Sequence, residues 1–227
     1  MTQAQIIRGG RIIDPANQID MTSDVLVVGG KIAEIGAVSA PDDADVFDAT
    51  GLVVTPGLID YHVHLRTPGF EYKESIATGT EAAVAGGFTA VCCMPNTRPA
   101  LDSVETLTEL NGIIERKAVA RVFPIAAISK GRKSETAVDF DALAEAGAIG
   151  FSDDGDSTRD SRIMRAALEA SLRLDRPVIV HCEDWTLAHG AMNEGEVSRR
   201  LGLPGIPAEA EEIIIARDLL LSAMTGG

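Results

Sequence analysis

From Leu58 onward the chain repeats one pattern: a short apolar run, a loop, then a stretch of helical length. The apolar runs are Leu58–His64, Phe88–Cys93, Val122–Ile128, Ile149–Ser152 and Pro177–His181. The helical stretches are Glu74–Ala85, Asp102–Glu115, Phe140–Ala146, Asp160–Leu172 and Pro207–Met224. Gly86-Gly87 closes the first helix, Asp102 and Glu105 stand at capping-box spacing, and Pro207 suits a first turn. The last stretch carries Ala210, Ile213, Ile214, Leu220 and Leu221 as an apolar stripe. Strands alternating with helices imply a parallel sheet, either doubly wound or a (β/α)8 barrel. No G-x-G-x-x-G follows a strand, which weighs against a dinucleotide fold. A whole barrel takes roughly 250 residues, so residues 56–227 leave space for about five of its eight units.

Residues 1–55 read differently. Ile6–Ile13 and Val25–Ile35 each hold a Gly-Gly pair between apolar runs, and such pairs favour two-residue hairpins. A small β-rich subdomain is expected there, with an incomplete barrel, strands one to five, over 56–227. An isolated chain of that kind would have open sheet edges and would leave Val91, Ile125 and Val180 short of core neighbours.

The formal net charge of −14 argues against nucleic acid and anionic membrane as partners. The N-terminus lacks the apolar core of a signal peptide, and no run approaches the ~18 apolar residues of a membrane span. Three cysteines, at 92, 93 and 182, are too few for a disulfide framework. A cytoplasmic protein is the expectation.

Chemistry concentrates at the expected strand ends. In Asp60-Tyr61-His62-Val63-His64, residues two apart share a face, so His62 and His64 project together and form half of a metal site. Asp60 shares that face and is placed to orient a ligand. His181 ends the fifth apolar run, whereas His189 falls in a polar loop. In Gly150-Phe151-Ser152-Asp153-Asp154-Gly155, bulky Phe151 suits the helix side, which turns Asp154 toward the histidines. A D-D-G turn is the alternative. Arg66 and Asn96 lie on loops at the same rim, where an Arg fork and an amide suit an anionic small molecule, or else serve the loops themselves. The cysteines read as packed strand residues, and 192–207 as a long loop over the site.

The run PGLIDYHVHLRTPGFEYKESIATGTEAAVAGGFTAVCCMPNTRPALD, with FSDDG, HCED and MNEGEVSRRLGLPGIPAEAEEIIIARDLL, resembles dihydroorotases of the long bacterial type, within the metal-dependent amidohydrolases. The resemblance covers essentially the whole chain. It implies a (β/α)8 TIM barrel of the amidohydrolase type with a small β-subdomain. It further implies zinc, as two ions, and the reversible cyclisation of N-carbamoyl-L-aspartate to dihydroorotate in pyrimidine synthesis. By motif match His62 and His64 hold the first metal, Asp154 bridges, and His181 holds the second. His64, Arg66 and Asn96 match the substrate-binding residues. Thr67 departs from the pattern, since many relatives carry Glu there. The family's remaining metal-binding His and its catalytic Asp would lie beyond Gly227, so the segment alone is expected to be inactive. A homo-oligomer or a transcarbamoylase partner fits the resemblance. One alternative is another cyclic amidohydrolase, allantoinase- or hydantoinase-like, but many of those bridge their metals with a carbamylated Lys, and Gly150–Asp154 has none. The other is a metal-free dihydroorotase-like scaffold for a transcarbamoylase.

Overall fold

The computed structural model describes residues 4–39, 41 and 43–227. The chain divides into two compact units, Met1–Gly57 and Leu58–Gly227. Residues 1–3, 40 and 42 of the expected β-rich stretch lie outside the described residues.

The first unit is one sheet of β1 (Ala4–Asp14), β2 (Ile19–Val28), β3 (Lys31–Gly36), β4 (Asp45–Asp48) and β5 (Val53–Val54). β1 is central, antiparallel to β2 and parallel to β4 and β5. Gly29 and Gly30, both at positive φ, turn β2 into β3 as a two-residue hairpin. The other Gly-Gly pair does not turn the chain. β1 continues through it, with a bulge between Ile7 and Gly10 and Gly9 at φ 69°. The Gly9 N–H donates to Asp24 Oδ1 at 2.8 Å, and a Cβ on Gly10 would stand 2.5 Å from Val54 Cγ2. Positive φ serves a turn and a bulge alike, so the dipeptide alone does not choose between them.

The second unit alternates β6 (Leu58–Val63), α1 (Ile76–Ala85), β7 (Phe88–Cys93), α2 (Val104–Lys117), β8 (Arg121–Ala126), α3 (Phe140–Glu145), β9 (Gly150–Phe151) and α4 (Ser161–Leu174). The strands form a parallel sheet in the order β6-β7-β8-β9. A doubly wound sheet reverses its strand order at a switch point. Here neighbours follow chain order throughout, as in a barrel. The expected strand Pro177–His181 is reduced to a single bridge, Val178 to Phe151. Its ladder consists of Phe151 N–H to Pro177 O and Ile179 N–H to Phe151 O, each 2.9 Å.

Side-chain alternation sorts two cores. Val91, Cys93, Val122, Ala126 and Phe151 pack on the helix side with Leu107, Leu110 and Met164. Cys92, Met94 and Ile125 pack on the opposite side with Ile149 and Ile179. Val91 and Ile125 are 1% and 0% exposed, so they do not lack neighbours; the two cores enclose them from their own sides. Val180 is half-buried against the helix-side core.

Helix starts differ slightly from the sequence reading. Ser75 and Ser103 cap α1 and α2, each in a box with a Thr three residues on. Asp102 instead accepts the Gly131 N–H at 2.6 Å, which moves the α2 cap one residue on. The expected loop 192–207 is structured: β10 (Met192–Asn193), α5 (Glu196–Leu201) and β11 (Gly205–Ile206), with β10 paired to β11. α6 (Glu209–Thr225) follows. It buries Ala210 and Ile214, but Ile213 and Leu220 face outward, so its apolar stripe is narrower than expected.

Candidate metal centre

Val63 on β6 packs toward the helix-side core. The pleat therefore turns His62, and His64 just beyond the strand, to the opposite side. Their rings lie 5.1 Å apart, edge to face. From the end of β9, Phe151 is wholly buried against Phe140 on the helix side, while the chain beyond it brings Asp154 back beneath the histidines. His62 Nε2 is 3.3 Å from Asp154 Oδ1, and His64 Nε2 is 3.5 Å from Oδ2. His181 Nδ1 is 3.4 Å from Oδ1. The Asp154 side chain is 5% exposed and the three imidazoles 34–43%, so a buried carboxylate forms the floor and the rings the mouth.

This donor set fits a divalent ion. Ligand bonds of about 2.1 Å in tetrahedral array place ligand atoms about 3.4 Å apart, which is the observed imidazole-to-carboxylate spacing. His62, His64 and Asp154 each offer a ligand atom within 4.8 Å of the others. His181 meets the group at the carboxylate.

Groups outside that set orient it. Asn96, 7% exposed, faces both sides: its Oδ1 is 3.0 Å from His64 Nδ1 and its Nδ2 donates to Asp154 Oδ2 at 3.5 Å. An acceptor on Nδ1 puts the His64 proton there and leaves Nε2 free as a ligand. Arg66 sits in the left-handed region at φ 55°, and its Nη1 donates to the Asn96 carbonyl at 3.4 Å. Asp60 does not reach a ring; its Oδ1 accepts the His62 backbone N–H at 3.0 Å. His189 is exposed beside Trp185, away from the carboxylate. Burial pushes the thiols of Cys92 and Cys182 up, and that of Cys93 up to about 12, so none is disposed to act as a thiolate.

Several neighbours carried no signal in the sequence. Arg132 donates Nη1 to the Asp154 carbonyl and holds Asp156 Oδ2 at 3.3 Å. Asp153 turns away from the histidines and takes four hydrogen bonds, from Ile128 N–H, Ser129 N–H, Ser129 Oγ and Thr158 Oγ1.

Residues 51–227 match the family model described as dihydro-orotase-like. A dihydroorotase of Solibacter usitatus (strain Ellin6076) is 49% identical over 222 residues, covering 97% of this chain and 52% of the relative. That of Aquifex aeolicus (strain VF5) is 48% identical over 225 residues, covering 98% and 53%. The chain spans about half the length of the curated relatives it matches. Among solved structures, the L-hydantoinase (dihydropyrimidinase) from Arthrobacter aurescens matches with a TM-score of 0.80 at 21% identity, over 100% of this chain and 51% of that one. Dihydropyrimidinase from Brevibacillus agri NCHU1002 matches at 0.72 and 23% identity, over 98% and 50%. At these identities the likeness is one of fold: a (β/α) barrel, here its first units, with an N-terminal β-subdomain.

Proposed function

This chain belongs to the dihydro-orotase-like family, and from that premise we propose that the whole protein is a metal-dependent dihydroorotase of pyrimidine synthesis. The observation that carries the reading is the buried Asp154 carboxylate faced by three imidazoles within 3.5 Å. His62, His64, Asp154 and His181 would hold zinc, as two ions, with Asp154 between them. When bound, the metal supplies Lewis acidity to a carbonyl and lowers the pKa of a water.

Ring closure joins the ureido nitrogen of N-carbamoyl-L-aspartate to its side-chain carboxyl carbon and releases water; hydrolysis reverses it. The residues of this chain bind and orient. Asn96 fixes the His64 tautomer. Arg66 offers a planar fork to the substrate carboxylate, which it can bind with two parallel bonds. Asn96 stands beside it, its backbone carbonyl already held by the same guanidinium. No lysine stands between Gly150 and Gly155 to serve as a carbamylated bridge, which supports this reading over a hydantoinase. The three free cysteines favour a cytoplasmic setting.

The test is turnover by the full-length protein, followed as formation of dihydroorotate from carbamoyl-aspartate before and after chelation. The expected result is cyclisation that chelator abolishes and zinc restores. Hydrolysis of hydantoins without turnover of carbamoyl-aspartate would contradict it.

A further inference from the structure

We infer that a buried chain of hydroxyls, running from Asp153 through Ser129 and Ser134 to Ser157, sets the position of His181 relative to Asp154. Its members are positioning residues, and the inference rests on the metal-centre reading above.

The ladder between Phe151 and the fifth strand stops short of His181. The ladder that brings in the fifth strand ends with the bond from Ile179 N–H to Phe151 O. His181 lies beyond it, so the ladder to Phe151 does not fix its backbone. Ser157 does. This residue is 6% exposed and belongs to the loop that carries Asp154. Its hydroxyl has one proton and two carbonyls to share it with, those of His181 and of Glu183, the latter at 2.6 Å. Its lone pair accepts the Glu183 N–H at 2.9 Å. One small side chain on the Asp154 loop therefore holds the backbone at His181 and at Glu183.

Ser157 is itself held. Its carbonyl accepts from Ser134 Oγ at 3.3 Å, and that hydroxyl accepts the Arg159 N–H at 2.9 Å. The Ser134 N–H donates to Ser129 Oγ at 2.8 Å, and Ser129 passes its own proton to Asp153 Oδ2 at 2.6 Å. Ser129 is 0%, Asp153 1% and Thr158 2% exposed. Every hydroxyl in the series has its proton directed to one region and its lone pair to a backbone N–H, so the geometry is fully specified. Asp153, immediately before the proposed bridging ligand, is the anchor. A satisfied buried polar network fixes one arrangement, and a metal site requires ligands held within about 0.5 Å. No member contacts the imidazoles, so the effect must pass through backbone placement.

The full-length protein, stripped of metal, is titrated with Co2+, whose visible absorption reports ligand number and geometry. Ser157→Ala is expected to weaken Co2+ binding on the order of ten- to hundredfold, the usual effect of removing a group that orients a ligand, and to change the spectrum. Thermal unfolding of the metal-free variant should stay cooperative, and Ser157→Thr, which restores a hydroxyl, should recover most of the affinity. Ser134→Ala lies one step further from His181 and should show a smaller loss in the same direction, so the idea stays testable if Ser157→Ala does not fold. Parental Co2+ affinity and spectrum in a folded Ser157→Ala, or in Ser134→Ala if only that variant folds, would overturn the inference. Failure of the parent itself to bind Co2+ would instead sink the metal-centre reading, and the inference with it.

Discussion

Asn96 Oδ1 lies 3.0 Å from Nδ1 of His64, and this contact decides which nitrogen of the imidazole is available. It gives Asn96 a task at the proposed metal centre in addition to the substrate contact proposed for it. Asn96→Ala should therefore lower metal affinity by roughly ten- to hundredfold, measured by equilibrium dialysis against zinc. If metal content stays intact and only KM rises, Asn96 serves the substrate alone.

Arg66 separates substrate from metal in the other direction. Arg66→Lys keeps the charge and loses the planar fork. A contact made equally in ground and transition states predicts a raised KM with little change in kcat. The loss should be about 1.5–3 kcal/mol, the range for charged hydrogen bonds, or roughly ten- to hundredfold in kcat/KM. Zinc content measured alongside should not change; a variant stripped of metal would show that Arg66 holds the site together instead.

Phe151 is the packing counterpart of Asp154. It is wholly buried, 5.0 Å edge to face from Phe140. Phe151→Ala should cost roughly 3–5 kcal/mol, as large-to-small core substitutions do, read from the urea midpoint. A loss under about 1 kcal/mol would mean the site collapses around the smaller side chain.

How far the sequence reads toward this structure depends on the range of the interaction. The alternation through Leu58–Val63 is local, so the shared side of His62 and His64 follows from it. Phe151 likewise gives the parity of β9. The hydroxyl series was not legible, because Ser129 and Ser157 find their partners across loops far apart in the chain, and D-D-G reads as a turn without them. Local ambiguity misled as well. Gly9-Gly10 serves a bulge where a hairpin was expected, and Asp102 lost the α2 cap to Ser103 because Gly131, from a distant loop, claims its carboxylate.

Cys93 gives a pH dependence. Burial pushes its thiol from the ordinary 9.0 up to about 12. The folded chain keeps this proton to higher pH than the unfolded chain. Its stabilising contribution is therefore complete below about 9 and is lost as pH rises toward about 12. Unfolding free energy measured across that window should fall less steeply in Cys93→Ala than in the parent. Equal slopes would mean the thiol is not buried as described.

Asp154 and the three histidines are proposed to hold the metal on which dihydroorotate formation depends. Asp154→Asn in the full-length protein tests this, with metal content and carbamoyl-aspartate cyclisation measured on the same sample. Both should be lost together while the variant remains folded. Parental cyclisation by a folded Asp154→Asn protein depleted of metal would contradict the proposal.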